Sequence, residues 1–292
     1  MFRGTFTALV TPFRGDGVDF AAFEKLLDEQ LAGGINGWVA IGTTGESPTL
    51  TQAERESVIR KCVEYARGRC TVLAGTGSYS TRDTIEATRK AESLGANGAL
   101  VVAPYYNKPS QEGLFRHFKA IADATGLPIM LYNIPGRCGV DIAADTVVRL
   151  AETCRNIVSI KEASGSVERV SELRARLPEA FTIMSGDDSL TIPFMAAGAV
   201  GVVSVASNLY PAEIVSLVNS FAAGDASKAE TLHRRLFPLM KTLFIEPNPV
   251  PAKTALSWRG MMTPDCRLPL CEMTEANQAK LRKVVEEFER SR

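Results

Sequence analysis

Short apolar runs rich in Val, Ile and Ala recur along the chain at 5–10, 37–41, 71–74, 98–102, 128–132, 156–161, 181–185 and 200–204. Runs of that length and composition mark strands buried on both faces. Between them lie longer stretches, 19–32, 51–66, 80–94, 110–125, 143–152, 167–176, 190–197 and 211–222, that are amphipathic in the way of helices with one buried face. Thr51 with Glu54 three residues on is a capping-box start, and Gly33-Gly34, Gly95, Gly126 and Gly198 punctuate helix ends. Strand and helix thus alternate through eight units without interruption, each long enough for a right-handed parallel crossover. The pattern predicts an α/β fold, a (β/α)8 TIM barrel over residues 1–224. An open doubly wound sheet is the competing arrangement, but no Gly-x-Gly-x-x-Gly follows the first strand.

Beyond residue 224 the strand signal stops. Residues 226–244, 251–259 and 274–292 read as helices, and the first two are parted by Glu246-Pro247-Asn248-Pro249-Val250-Pro251, whose prolines do not suit a helix interior. A C-terminal helical extension, 225–292, packed on the barrel is expected; a small independent domain is the other reading.

Charge narrows the partners. Lys and Arg number 33, as do Asp and Glu, for a formal net charge of +0. No global field draws the chain to nucleic acid or to an anionic membrane. No stretch approaches the ~20 apolar residues that span a bilayer, and Met1-Phe2-Arg3-Gly4-Thr5-Phe6 enters a strand-like run with no apolar leader. The six cysteines, 62, 70, 138, 154, 266 and 271, have neither CxxC nor zinc-ligand spacing. They read as reduced thiols in a cytoplasmic protein. His117 and His233 fall in helical stretches far from any cluster, so no metal is expected.

A barrel of this kind carries its chemistry on the loops after the strands. Those positions hold Gly42-Thr43-Thr44-Gly45-Glu46-Ser47, Gly75-Thr76-Gly77, Pro104-Tyr105-Tyr106, Tyr132-Asn133-Ile134-Pro135-Gly136-Arg137, Lys161 and Ser185-Gly186-Asp187-Asp188. Lys161 ends the run Asn156-Ile157-Val158-Ser159-Ile160, where a charge is out of place. Burial disfavours an ammonium and lowers its pKa from ~10.4 toward roughly 7–8, where a neutral amine attacks carbonyls to form Schiff bases. The alternative is a lysine whose head turns back to solvent. Each neighbour likewise has two readings. The Gly42–Gly45 turn is either a tight turn or a set of N–H and hydroxyl donors for a carboxylate; it lacks the Gly-Lys-Ser/Thr ending of a phosphate loop. Tyr105 and Tyr106 suit strand-end packing. Arg137 either pairs with Asp141 or grips a substrate carboxylate.

Gly42-Thr43-Thr44-Gly45-Glu46, Tyr132-Asn133-Ile134-Pro135-Gly136-Arg137 and Ile160-Lys161-Glu162-Ala163, in that order, resemble the signatures of the pyruvate-dependent class I aldolases and lyases, and within them the dihydrodipicolinate synthase family. The likeness runs over essentially the whole chain. It implies a Schiff base between Lys161 and pyruvate, whose enamine attacks L-aspartate 4-semialdehyde in lysine and diaminopimelate biosynthesis. It also implies a proton relay of Tyr132, Thr43 and Tyr106, the last reaching in from a neighbouring subunit. Thr44 would bind the pyruvate carboxylate, Gly186 and Val203 would line the site through their backbones, and Arg137 would hold the semialdehyde carboxylate. No cofactor is implied, and a homotetramer built as a dimer of dimers is. Arg137 favours the synthases over the other lyases of the group, which cleave N-acetylneuraminate or 2-keto-3-deoxy sugar acids; a non-catalytic keto-acid-binding barrel is a further alternative. Many relatives bind L-lysine in a cleft between subunits. Ser47 and Tyr105 match that cleft, whereas Gln52, Arg55, Tyr79 and Asp83 stand where lysine-sensitive relatives carry histidine, asparagine or glutamate, which implies weak or absent inhibition. Cys138 replaces an expected threonine beside Arg137.

Overall fold

The structure is a computed structural model that describes residues 2–292; residue 1 of the expected barrel range lies outside the described residues. Eight parallel strands close on themselves: β1 Gly4–Ala8, β2 Gly37–Ala40, β3 Thr71–Gly75, β4 Gly98–Val102, β5 Ile129–Asn133, β6 Ile157–Glu162, β7 Thr182–Ser185 and β8 Gly201–Ser204. Closure runs through β1, where Phe6 stands opposite Val203 on one side and Gly37 on the other. Around the sheet lie α1 Phe20–Ala32, α2 Gln52–Ala66, α3 Thr81–Ser93, α4 Gln111–Asp123, α5 Ala144–Thr153, α6 Val167–Arg176, α7 Thr191–Ala196 and α8 Pro211–Ala222. The expected (β/α)8 barrel is therefore present. The capping box is also formed, Thr51 Oγ1 accepting from the Glu54 amide while the Glu54 carboxylate accepts from the Thr51 amide.

Side-chain alternation along each strand separates two cores. Phe6, Val39, Leu73, Leu100, Met130, Tyr132, Met184 and Val203 fill the barrel interior. Their sequence neighbours, such as Ala99, Val101 and Leu131, face the helices with Trp38, Leu26 and Phe118. Gly37 is small because a Cβ there would stand 2.3 Å from the Phe6 ring; its absence lets that ring plug the barrel.

One irregularity decides the site. Ile129 pairs with Ile157, but Met130 pairs with Ser159, so Val158 is an extra residue in β6. A bulge of one residue reverses which face every later side chain takes. Ile157 already faces the helices. Unbroken alternation from it would turn Ile160 into the barrel and Lys161 outward. With the bulge Ile160 faces the helices and Lys161 pairs with Tyr132 of the barrel interior.

Beyond α8 come α9 Ala226–Thr242, α10 Val250–Trp258 and α11 Glu275–Arg290. Tyr210, at the start of α8, stacks edge-on against Phe288 of α11 at 4.6 Å and donates to Glu289 at 3.0 Å. In α10 every residue from Val250 to Leu256 is buried, Lys253 included. The periodicity did not foresee a two-stranded hairpin at Phe13–Arg14 and Gly17–Val18 or a helix at Pro135–Cys138. Each spans only about one period of the helical or strand pattern, so their residues leave no repeat to detect. Among the described residues no helix is long and apolar enough to cross a membrane, and all six cysteines are free.

Candidate active site

Lys161 is 6 % exposed, with Nζ 4.2 Å from the centre of the Tyr132 ring. The contact follows from register, since Tyr132 and Lys161 are opposite one another on β5 and β6. Burial brings the lysine down to about 7; the Asp188 carboxylate pulls it back up and the Arg137 guanidinium adds to the fall. Near neutral pH a large share is thus free amine.

Gly186 leaves room for the stem of that lysine. A Cβ there would lie 3.0 Å from Lys161 Cε and 2.7 Å from the Ala163 methyl. Its own N–H donates to Glu162 O at 2.8 Å, which holds the turn after β7 against β6. On the outer face Glu162, fully buried, accepts from Asn133 Nδ2 at 3.1 Å, from Ser164 N at 2.8 Å and from Arg169 Nε at 2.7 Å. This network ties β5 to β6 directly behind the Tyr132–Lys161 pair.

A cleft lined by Gly42, Thr43, Ser47, Tyr105, Tyr132 and Arg137 reaches the pair on the Tyr132 side. Burial raises the Tyr132 phenol to about 12, while Arg137 and the Thr43 side chain pull it down and Cys138 adds to the rise. The phenol therefore holds its proton at neutral pH and begins as a donor. Arg137 comes from the short Pro135–Cys138 helix and is exposed at the cleft wall. Its alternative partner is taken: Asp141 lies 3.7 Å from Arg169 and accepts from Asn133 at 2.7 Å. That leaves the guanidinium to the cleft.

The remaining expected residues are placed less directly. Thr44 is buried behind Thr43, its Oγ1 accepting from Asn248 Nδ2 at 2.9 Å. Val203 lies in the barrel interior on β8. Tyr106, at φ 73° and 91 % exposed, projects into solvent and does not line the cleft of its own chain. Ser47 and Tyr105 line the cleft beside Tyr132, whereas Gln52, Arg55 and Asp83 line another with Glu56, Glu86 and Lys90. The two share Ile41 and Gly75 as a common wall. Arg55 Nη2 donates to Ser47 O at 2.7 Å, and Tyr79 packs edge-on against Tyr105 at 5.4 Å.

Asp188 received no role from sequence reasoning although its motif was noticed. It is 2 % exposed, and its Oδ2 accepts from the amides of Val205 at 2.9 Å and Ala206 at 3.0 Å, fixing the turn after β8. Burial raises its pKa, with the Ser204 side chain and those two amides opposing. The paired acids after Gly186 were the available signal. Asn248 and Lys253 had none, because their partners are some 200 residues away: their separations from Thr44 and Glu46 are 204 and 207.

A family model described as the dihydrodipicolinate synthetase family matches residues 1–288. The chain belongs to that family. Among curated dihydrodipicolinate synthetase family relatives, the 4-hydroxy-tetrahydrodipicolinate synthase of Endomicrobium trichonymphae is 52 % identical over 288 residues, 99 % of each chain. The solved structure of the enzyme of that name from Methylacidiphilum fumariolicum SolV superposes with a TM-score of 0.98 at 51 % identity, covering 99 % of this chain and 97 % of that one. A synthase from Cyanidioschyzon merolae, solved with lysine bound, has a TM-score of 0.96 at 43 % identity and covers 99 % and 98 %.

Proposed function

We propose that this chain is a 4-hydroxy-tetrahydrodipicolinate synthase, condensing pyruvate with L-aspartate 4-semialdehyde. The observation that carries the reading is Lys161, buried and poised near neutrality against the Tyr132 ring beside a cleft that Arg137 lines. The free amine adds to the keto carbon of pyruvate, and loss of water yields the Schiff base. Tyr132 supplies the proton that lets the hydroxide leave, with Thr43 beside it. The Tyr132 phenolate left by that step takes a methyl proton to give the enamine, whose carbon attacks the semialdehyde carbonyl, and the re-formed phenol protonates the resulting alkoxide. The substrate's own amino group displaces Lys161 from the former keto carbon, closing the ring and returning the amine. Arg137 grips the semialdehyde carboxylate, and the Thr44 hydroxyl that of pyruvate. Gly186 and Val203 leave their backbones as the walls beside the imine.

Tyr106 completes the relay from a neighbouring subunit in this reading. Its near-complete exposure supports that, since a tyrosine ring left in water forgoes the burial it usually finds. The assembly is then a homotetramer, a dimer of dimers. A dilute preparation shown by sedimentation to be monomeric, yet fully active, would disprove the shared relay.

The test of the function is borohydride reduction in the presence of pyruvate, followed by peptide mass spectrometry. A reduced pyruvyl adduct on Lys161 is expected, and its absence defeats the reading. Product formation from L-aspartate 4-semialdehyde, compared with cleavage of sugar acids, then assigns the second substrate.

Ser47, Gln52, Arg55, Tyr79, Asp83 and Tyr105 make a poor receptor for lysine. In this reading the Arg55 guanidinium repels a ligand ammonium, and it donates to Ser47 O at 2.7 Å. Inhibition by L-lysine is expected to be weak or absent; half-inhibition in a steady-state assay at submillimolar lysine would contradict this.

A further inference from the structure

The arc from Ile41 to Glu46, which carries Thr43 and Thr44, begins and ends in the left-handed region, with Ile41 at φ 50° and Glu46 at φ 55°. For a β-branched residue such as Ile41 this conformation is strained, and it persists only where the surroundings over-determine it. The arc is also tightly folded. A Cβ on Gly45 would meet Ile41 Cα at 3.1 Å, and one on Gly75 would meet Ile41 O at 2.5 Å.

What holds the far end of this arc comes from the C-terminal extension. Glu46 Oε1 accepts from Lys253 Nζ at 2.7 Å, with side chains 1 % and 0 % exposed respectively. Glu46 Oε2 accepts from the backbone amide of Arg267 at 2.9 Å. Lys253 Nζ lies 4.1 Å from the centre of the Phe13 ring, and the Arg267 guanidinium 4.4 Å from the same ring. The same extension supplies Asn248, whose amide nitrogen donates to Thr44 Oγ1 at 2.9 Å. A hydroxyl that already accepts there keeps its single proton for another acceptor. The Thr44 O–H is thereby turned away from Asn248 and left as a donor.

A buried ion pair is weak evidence for stability, because desolvation offsets most of its attraction and neutral replacements of similar size are often tolerated. Its worth here lies in position. We propose that Glu46 and Lys253 are positioning residues of the substrate site: their buried pair pins the strained arc so that Thr43 meets Tyr132 and Thr44 meets the pyruvate carboxylate. The C-terminal extension is then a working part of the site. This rests on the reading of Lys161 as the residue that captures pyruvate.

The test is Glu46→Gln/Lys253→Met, which keeps volume and removes both charges together. Pyruvate KM and kcat are measured on it, with borohydride trapping at saturating pyruvate on the native chain and the variant. A pyruvate KM raised about tenfold by the displaced Thr44, a kcat lowered about tenfold by the displaced Thr43, and an adduct still formed on Lys161 are expected. A folded variant with pyruvate KM unchanged from native, beside a normal native adduct, overturns this inference alone and leaves the pair a structural one. A native chain that forms no adduct overturns the Lys161 reading and this inference with it. If circular dichroism shows the double variant unfolded, Glu46→Gln by itself is read against the same outcomes.

Discussion

Lys161→Met is expected to slow the condensation by at least about 10^3-fold and to abolish borohydride trapping by pyruvate. On the proposed mechanism the variant loses the atom that bonds pyruvate while keeping a side chain of similar length. Its site is 6 % exposed and borders the apolar barrel interior, so an apolar replacement suits it better than the amine did. The melting temperature should hold or rise, which separates lost chemistry from lost folding. In the native chain the same amine is then expected to set the acid limb of the rate. Because burial lowers its pKa to about 7, free amine predominates above that pH and the protonated form below. The sign is that of a depressed base: rate rises with pH through the neutral range and falls roughly tenfold per unit well below it. Single-turnover imine formation followed from acid to alkaline pH reports this limb. A limb near the free-lysine value, or a Lys161→Met variant with more than a tenth of native turnover, would refute the assignment.

Tyr132→Phe is the second large loss expected, about 10^2- to 10^4-fold and mainly in kcat. Only the hydroxyl is removed, so the ring remains beneath the Lys161 amine and the barrel interior stays filled. A phenol raised to about 12 is a reluctant acid on its own, and the Thr43 side chain and Arg137 are the groups that ease it. Pyruvate should still be trapped on Lys161 in the variant, but slowly, because expulsion of hydroxide has lost its proton source. If instead kcat were native and only KM rose, Tyr132 would be a wall of the cleft and no part of the relay.

The legibility of the site varied residue by residue. Lys161 stood out because a charge at the end of an apolar strand violates the pattern around it. Arg137 stood out through its motif, although the short helix that aims it had no periodicity to detect. Tyr106 was legible only through the family resemblance, since its own chain leaves it in solvent. Asp188 was visible as a residue but without a role, because acceptance of two amides from the following strand's turn is a contact of folding and not of spacing. Asn248 and Lys253 were unreadable, their partners lying on the opposite half of the chain.

Eight alternating units, with no Gly-x-Gly-x-x-Gly after the first strand, were sufficient to favour a closed parallel barrel over an open sheet and to place one lysine, a tyrosine, a threonine turn and an arginine at strand ends. Period and composition are local properties, and strand order follows from them through the handedness of the crossovers. Two things were settled only in three dimensions. The extra residue at Val158 turned Lys161 inward to Tyr132, which a run of apolar residues with no polar alternation cannot reveal. The pairing of Glu46 with Lys253 joined the threonine turn to the C-terminal helices, because a contact across 207 residues exists only once the barrel has closed.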